Sequence, residues 1–365
     1  MRNGLNTGNM SELVHEIRTN PEEAQFRYGV DSTCQHRELI SCATRTLQGG
    51  TIRIARPFTI EATALGCSLA ATPEQLLLLA LGGCAMITFL LGCGAKGVSL
   101  NSLRMELRAE YQRDQGLENV AYRLLVDCDA EPDVVGAIAH HVACFSPNHR
   151  TFIDRNQIEV TIADDRVSDR HRSATEPSAN RVTFLNSTEV VGLQAAIDWQ
   201  FGTQLSGYVW QSNSEARHAY AIDQPKQALG LDRAPNPQEY LLAALATDLH
   251  RGAQSRGGDS ASLGMVPSFS LSGKLDLRGL LNVDSSVPTR FHELRVNLKD
   301  DGHLDVSQAE GTAIQLVGDS SIAQTICNPT PITVSVIHNG VEVEHFVSDQ
   351  NHVHTHLSHL AQKCA

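Results

Sequence analysis

At 365 residues, with 41% hydrophobic and 19% charged residues, the chain has the make-up of an ordinary soluble globular protein with room for two to three domains. Its net charge of -12 argues against a broad nucleic-acid or anionic-membrane surface, which would need clustered Lys and Arg, so small molecules are the expected partners. The opening MRNGLNTGNMSELVHEIRTN lacks the apolar core of a secretory signal, and nine irregularly spaced cysteines, an odd number, suggest free thiols in a reducing compartment, so a cytoplasmic location is expected.

In chain order, Ser11 to Arg18 reads as a short helix, followed by alternating, strand-like stretches such as Thr51 to Ala62 (TIRIARPFTIEA). Thr72 then opens a helix: its side chain can cap the first turn, Pro73 suits the first helical position, and Gln75 completes a capping box. The most apolar stretch, Leu76 to Leu91, lies in this helix, is interrupted by Gly82 and Gly83, and falls short of the roughly 20 residues of a membrane span. It reads as a buried core helix, ended by Lys96 and Gly97. Strands are expected at Ser102 to Tyr111 and Ala121 to Cys128, then a helix from Pro132 to Ala143 leading to Cys144, and a closing strand from Gln157 to Ile162. This is the pattern of an α+β unit. The polar, aperiodic Asp164 to Arg181 (DDRVSDRHRSATEPSANR) reads as a linker.

After the linker the chain says the same thing again. Thr72 to Cys84 reads TPEQLLLLALGGC and Asn236 to Asp248 reads NPQEYLLAALATD, with Asn236, Pro237 and Glu239 repeating the cap. Strands near Ser268 to Leu275 and His292 to Leu298, Cys327, and a last strand from Ile332 to Ile337 follow in the same order. The late cysteine comes 60 residues after Cys84 (Cys144) but 79 after Asp248 (Cys327), so the second repeat carries about 19 extra residues, placed around LDLRGLLNVDSSVPTRF. The expected divisions are an N-terminal arm (1–20), unit one (21–164), a linker (165–182), unit two (183–343) and a His-containing tail (344–365). A duplication in which one copy keeps a thiol and the other loses it suggests one reactive site.

The proline-capped helix TPEQLLLLALGGC, Gly97 after it and a second Cys before the final strand together resemble the OsmC/Ohr family of thiol peroxidases, as two tandem family units. The resemblance implies an intertwined α+β fold with long central helices packed between curved antiparallel sheets and the thiols at the seam. In the family the active form is usually a homodimer of single units; here the two halves would make an intramolecular pseudo-dimer, with further oligomerisation left open. It also implies an organic hydroperoxide substrate and a dithiol reductant of lipoyl or thioredoxin type. No motif implies a metal, haem, flavin or other cofactor.

By the resemblance, Cys84 matches the peroxide-attacking cysteine. A free thiol of pKa near 8.5 is only about 3% thiolate at pH 7, so the site needs a lowered pKa. A cation at about 4 Å is worth up to roughly 4 kcal/mol at an effective dielectric of 20, about three pKa units. The family supplies an Arg from the first hairpin, held by a Glu. Arg37 is the positional match, with Arg45 and Arg53 as alternatives, and Glu74 is the Glu. Cys144 matches the resolving cysteine, which would condense with a Cys84 sulfenic acid to a disulfide. Cys93 lies nine residues further along the same helix, on the opposite face, and cannot pair with Cys84 while the helix is intact. Cys34, Cys42, Cys67 and Cys128 read as packed or incidental.

In the second repeat Asp248, Gln238 and the stretch Gln204 to Ser206 stand where the thiol, the Glu and the Arg would fall, so the three functions are lost together and Cys327 reads as structural. His352, His354, His356 and His359 form a polar tail; alternating in a strand they would also suit a metal. Two functions follow: a peroxidase reducing organic hydroperoxides through Cys84, or a catalytically weak relative that binds a hydrophobic small molecule or senses oxidants.

Overall fold

The computed structural model describes residues 1–36, 39–64, 69–113, 115–163, 171–174, 190–256, 267–299 and 306–364. The first half runs α1 (Thr7–Thr19), β1 (Gln25–His36), β2 (Leu39–Thr44), β3 (Leu47–Gly49), β4 (Ile52–Ile54), β5 (Thr59–Thr63), α2 (Pro73–Lys96), β6 (Leu100–Gln112), β7 (Gly116–Cys128), α3 (Pro132–Phe145), α4 (Pro147–Ile153), β8 (Ile158–Ala163) and β9 (His171–Ala174). The second runs β10 (Val191–Phe201), β11 (Gln204–Gln211), β12 (His218–Ile222), α5 (Pro237–Arg256), β13 (Ser268–Asp276), α6 (Leu277–Leu280), β14 (His292–Lys299), α7 (Val306–Asp319), α8 (Ser321–Cys327), β15 (Ile332–His338), β16 (Val341–Ser348) and α9 (Gln350–Cys364). The fold is mixed α+β.

Each of the two sheets draws strands from both halves of the sequence. In one, β5, β2 and β1 continue into β13, β14 and then β8; in the other, β12, β11 and β10 continue into β6, β7 and then β15. Four pairings join the halves: β14 with β8 and β15 with β7 are parallel, and β1 with β13 and β10 with β6 are antiparallel. Hydrogen bonds across these joins make either half incomplete without the other.

Both long helices start as their sequences dictate. Thr72 Oγ1 accepts from the Gln75 amide while Gln75 Oε1 accepts from the Thr72 amide, and Asn236 and Glu239 make the same reciprocal pair. Every residue of α2 from Pro73 to Leu91 is buried. Apolar on all sides, such a helix belongs in a protein core or a membrane. With 24 residues it is long and apolar enough to cross a membrane, yet 94% of its most apolar window is buried inside the fold. Gly82 and Gly83 do not interrupt it. A Cβ at Gly82 would lie 2.7 Å from Ile197 and 2.8 Å from Leu107, so the glycine lets α2 sit directly on β10 and β6.

Three expectations change. Thr51 to Ala62 is not one strand: β4 and β5 are separated where Arg56 turns inward and is buried. Part of the expected linker, residues 171–174, pairs with β8 as β9, while 164–170 and 175–189 lie outside the described residues. The tail is neither loose nor an alternating strand: β16 pairs with β15, and α9 packs so that His352 stacks on Phe346 with ring centroids 4.6 Å apart. No group of His, Cys, Asp or Glu among the described residues is arranged to hold a metal.

Candidate active site at the seam of α2 and α5

Cys84 sits midway along α2, 3% exposed. Asn148, in the first turn of α4, ties the seam together: its Nδ2 donates to the carbonyls of Ala80 in α2 and Pro237 in α5, at 2.9 and 3.1 Å. Its backbone N–H donates to Cys84 Sγ at 3.4 Å, and Gln238 Nε2, from the second half of the chain, donates to the same sulfur at 3.5 Å. The Ser146 hydroxyl lies beside the thiol as well. Burial pushes the Cys84 thiol up from its ordinary value, and the Asn148 N–H, the nearby Ser146 and the Gln238 amide pull it only partly back.

Two polar atoms at this site are buried without a hydrogen-bond partner, Ser146 Oγ and Gln238 Oε1. Cys84, Gln238 and Pro147, the residue after Ser146, line a narrow cavity of about 20 Å³, room for about one water-sized group. Thr88 and Gln224 add polar groups to its walls, which are otherwise apolar, with Ile87, Leu13, Leu275, Leu277, Leu280 and Leu281 among them. The four last leucines belong to the extra segment expected in repeat two, which here covers the thiol of the first half.

A second site stands at the corresponding place on α5. Asp248 Oδ2 accepts from Ser320 Oγ at 2.6 Å, Ser321 Oγ at 3.2 Å and the Ile322 N–H at 3.0 Å. Arg251 pairs with both Asp248 and Glu74, and its guanidinium lies 5.6 Å from the Tyr111 ring centroid. Ser146 and Asn148 therefore stand to Cys84 as Ser320 and Ile322 stand to Asp248. The two carboxylates hold the Arg251 guanidinium charged against its burial.

The sites explain where the predicted residues fall. Glu74 is not at Cys84: both lie on the unbroken α2, where ten residues span about 15 Å. Glu74 reaches across the seam to the Asp248 site, and Gln238, its counterpart, reaches across to Cys84. Arg37 lies outside the described residues. Arg45 and Arg53, its alternatives, line a cleft on the solvent face of β1, whose core face buries Phe26, Tyr28 and Val30. No guanidinium among the described residues hydrogen-bonds to or shifts the Cys84 thiol.

Cys144 closes α3 fully buried, its thiol pushed up to about 12 by burial, and the group that meets Cys84 at the α3–α4 junction is Ser146, two residues on. Cys327 ends α8, six residues beyond Ser321, so the comparison of cysteine spacings matched positions that are not equivalent. Cys42 and Cys128 are buried, as expected, while Cys34 is half-buried; Cys93 is buried too, and Cys67 lies outside the described residues.

Residues missed from the sequence are Gln238, Ser146 and Asn148. Alignment of Gln238 with Glu74 was visible; that each would serve the opposite half was not. Arg56 was also missed. Fully buried, it makes a bidentate pair with Glu239 at 2.8 and 2.9 Å and a further pair with Asp232, so its charge is committed to the start of α5.

No curated protein matches the chain. Residues 66–163, which carry Cys84, Ser146 and Asn148, match the family model described as OsmC-like protein, so this segment of the first half is OsmC-like.

Proposed function

We propose that the whole chain is an OsmC-like protein, its two halves an intramolecular pseudo-dimer, and that its Cys84 site is a slow thiol peroxidase for apolar organic hydroperoxides. The corresponding strand orders and the reciprocal reach of Glu74 and Gln238 support the pseudo-dimer.

The observation that carries the chemistry is the pair of unpartnered groups beside the thiol. A hydroperoxide or alcohol head both donates and accepts; it would donate a hydrogen bond to Gln238 Oε1 and accept one from Ser146 Oγ, with its alkyl part among the leucines. The Cys84 thiolate attacks the outer peroxide oxygen, the O–O bond breaks, the alkoxide takes a proton and leaves as the alcohol, and the sulfur becomes a sulfenic acid. With Ser146 at the junction, an external dithiol would reduce this in two exchanges, releasing water and leaving as its own disulfide. Cys144 as resolver is the competing form of the cycle. Without a cation at the sulfur, the thiolate fraction rises about tenfold per pH unit below the raised thiol pKa, so the rate should climb from pH 7 to 9.

The second reading, a binding protein without turnover, is favoured by that same uncharged surround. The test is cumene hydroperoxide consumption with dihydrolipoamide, followed by peptide mapping. Turnover that Cys84→Ser abolishes and Cys144→Ser leaves intact supports the one-cysteine cycle. A mapped Cys84 to Cys144 disulfide restores the two-cysteine form. Cys84 that stays reduced through an excess of peroxide moves the protein to the binding reading.

A further inference from the structure

Away from the thiol, the solvent face of the sheet at β1, β3, β4 and β13 holds a cleft of about 380 Å³. Arg27, Arg45 and Arg53 line it together with Gln48, Thr46 and Ser272. A Cβ at Gly29 would meet the Arg45 side chain and the Leu271 carbonyl at 3.0 Å, so the glycine keeps the floor of the cleft low.

Charge in the cleft is not balanced. Glu293 is shared by Arg27 at 2.9 Å and Lys274 at 3.3 Å, and Asp31 by Lys299 at 3.0 Å and Arg45 at 3.9 Å. Two carboxylates thus serve four cations. Arg53 adds a fifth, exposed and with no ion pair or hydrogen bond among the described residues. Arg27 Nη1 is buried with no acceptor among the described residues, so the guanidinium is not fully satisfied by Glu293.

From this we infer that the cleft is a binding site for a small phosphate-bearing molecule. Guanidinium forks match phosphate oxygens bidentately, Gln48 and Ser272 add neutral donors, and the volume is that of a small-molecule pocket. The rest of the chain argues for a small ligand: with a net charge of -12, its surface repels a long polyanion laid beyond the cleft.

Isothermal titration of the full chain with inorganic pyrophosphate tests this. Binding that weakens as salt rises is expected, with at least a tenfold loss of affinity in Arg53→Ala and in Arg45→Ala. Arg53 has no partner among the described residues to lose, so its variant should keep the wild-type melting temperature. No pyrophosphate binding overturns the proposal, as does binding that neither variant weakens. Two further arms separate the sources of phosphate. Retention on phosphatidylserine vesicles or on a short DNA duplex without pyrophosphate binding would overturn the small-molecule site.

Discussion

Cys84 and Asp248 occupy corresponding points on paired helices, each facing a serine and a backbone N–H at the start of a short helix, yet their surroundings differ sharply. The first is walled by leucines and holds an uncharged thiol; the second is ionic, with Arg251 clamped between Asp248 and Glu74. The scaffold fixes where donors point, and single residues decide which charge state the site favours. Arg251 and its carboxylate partners stand on the side that has no thiol.

Breaking the ionic site should give the largest effect. Arg251→Met leaves two buried carboxylates unpaired and should cost about 3–5 kcal/mol in urea unfolding; a loss below about 1 kcal/mol would mean the pair is solvated. Acid should act on both sites. Burial lowers His149, next to Asn148, to about 3, and His250, two residues past Asp248, to about 4. Both stay neutral in the fold while the unfolded chain takes up protons below pH 6.5. Stability should therefore fall as pH drops from 6.5 towards 4, by up to about 1.4 kcal/mol per pH unit for each histidine. A flat urea midpoint between pH 6.5 and 5 would contradict it.

The comparison is sharpened by moving the thiol. Asp248→Cys in a Cys84→Ser background places a sulfur beside Arg251, and its alkylation by iodoacetamide at pH 7 should run at least tenfold faster than that of Cys84 in the parent. Equal rates would show that the neighbouring cation does not set reactivity here. The smallest effects are at the caps, where Thr72→Ala and Asn236→Ala should each cost about 1 kcal/mol. Asn236→Ala should be the milder if the Arg56 pair holds Glu239 in place, and thermal melts of the two variants side by side measure the difference.

Much of the scaffold was legible because local chemistry sets it. The caps, β6, β7, β13 and β14, the α+β class and the burial of α2 all follow from periodicity and terminal residues. Elements that the sequence left unmarked are those stabilised by contact: β10 to β12 pair with one another and with β6, and α9 is held by histidine stacking on Phe346 and His140.

For the site, sequence by itself determined that one of two helices with the same capped opening carries a cysteine, and where along the helix it lies. Partners were decided by tertiary structure alone. A helix keeps residues ten apart on separate turns, so Glu74 could not serve Cys84 once α2 ran unbroken. The strand exchange between halves then set which side chain crossed the seam. Burial, which no single position encodes, left the Cys84 thiol among leucines and the buried arginine with Asp248.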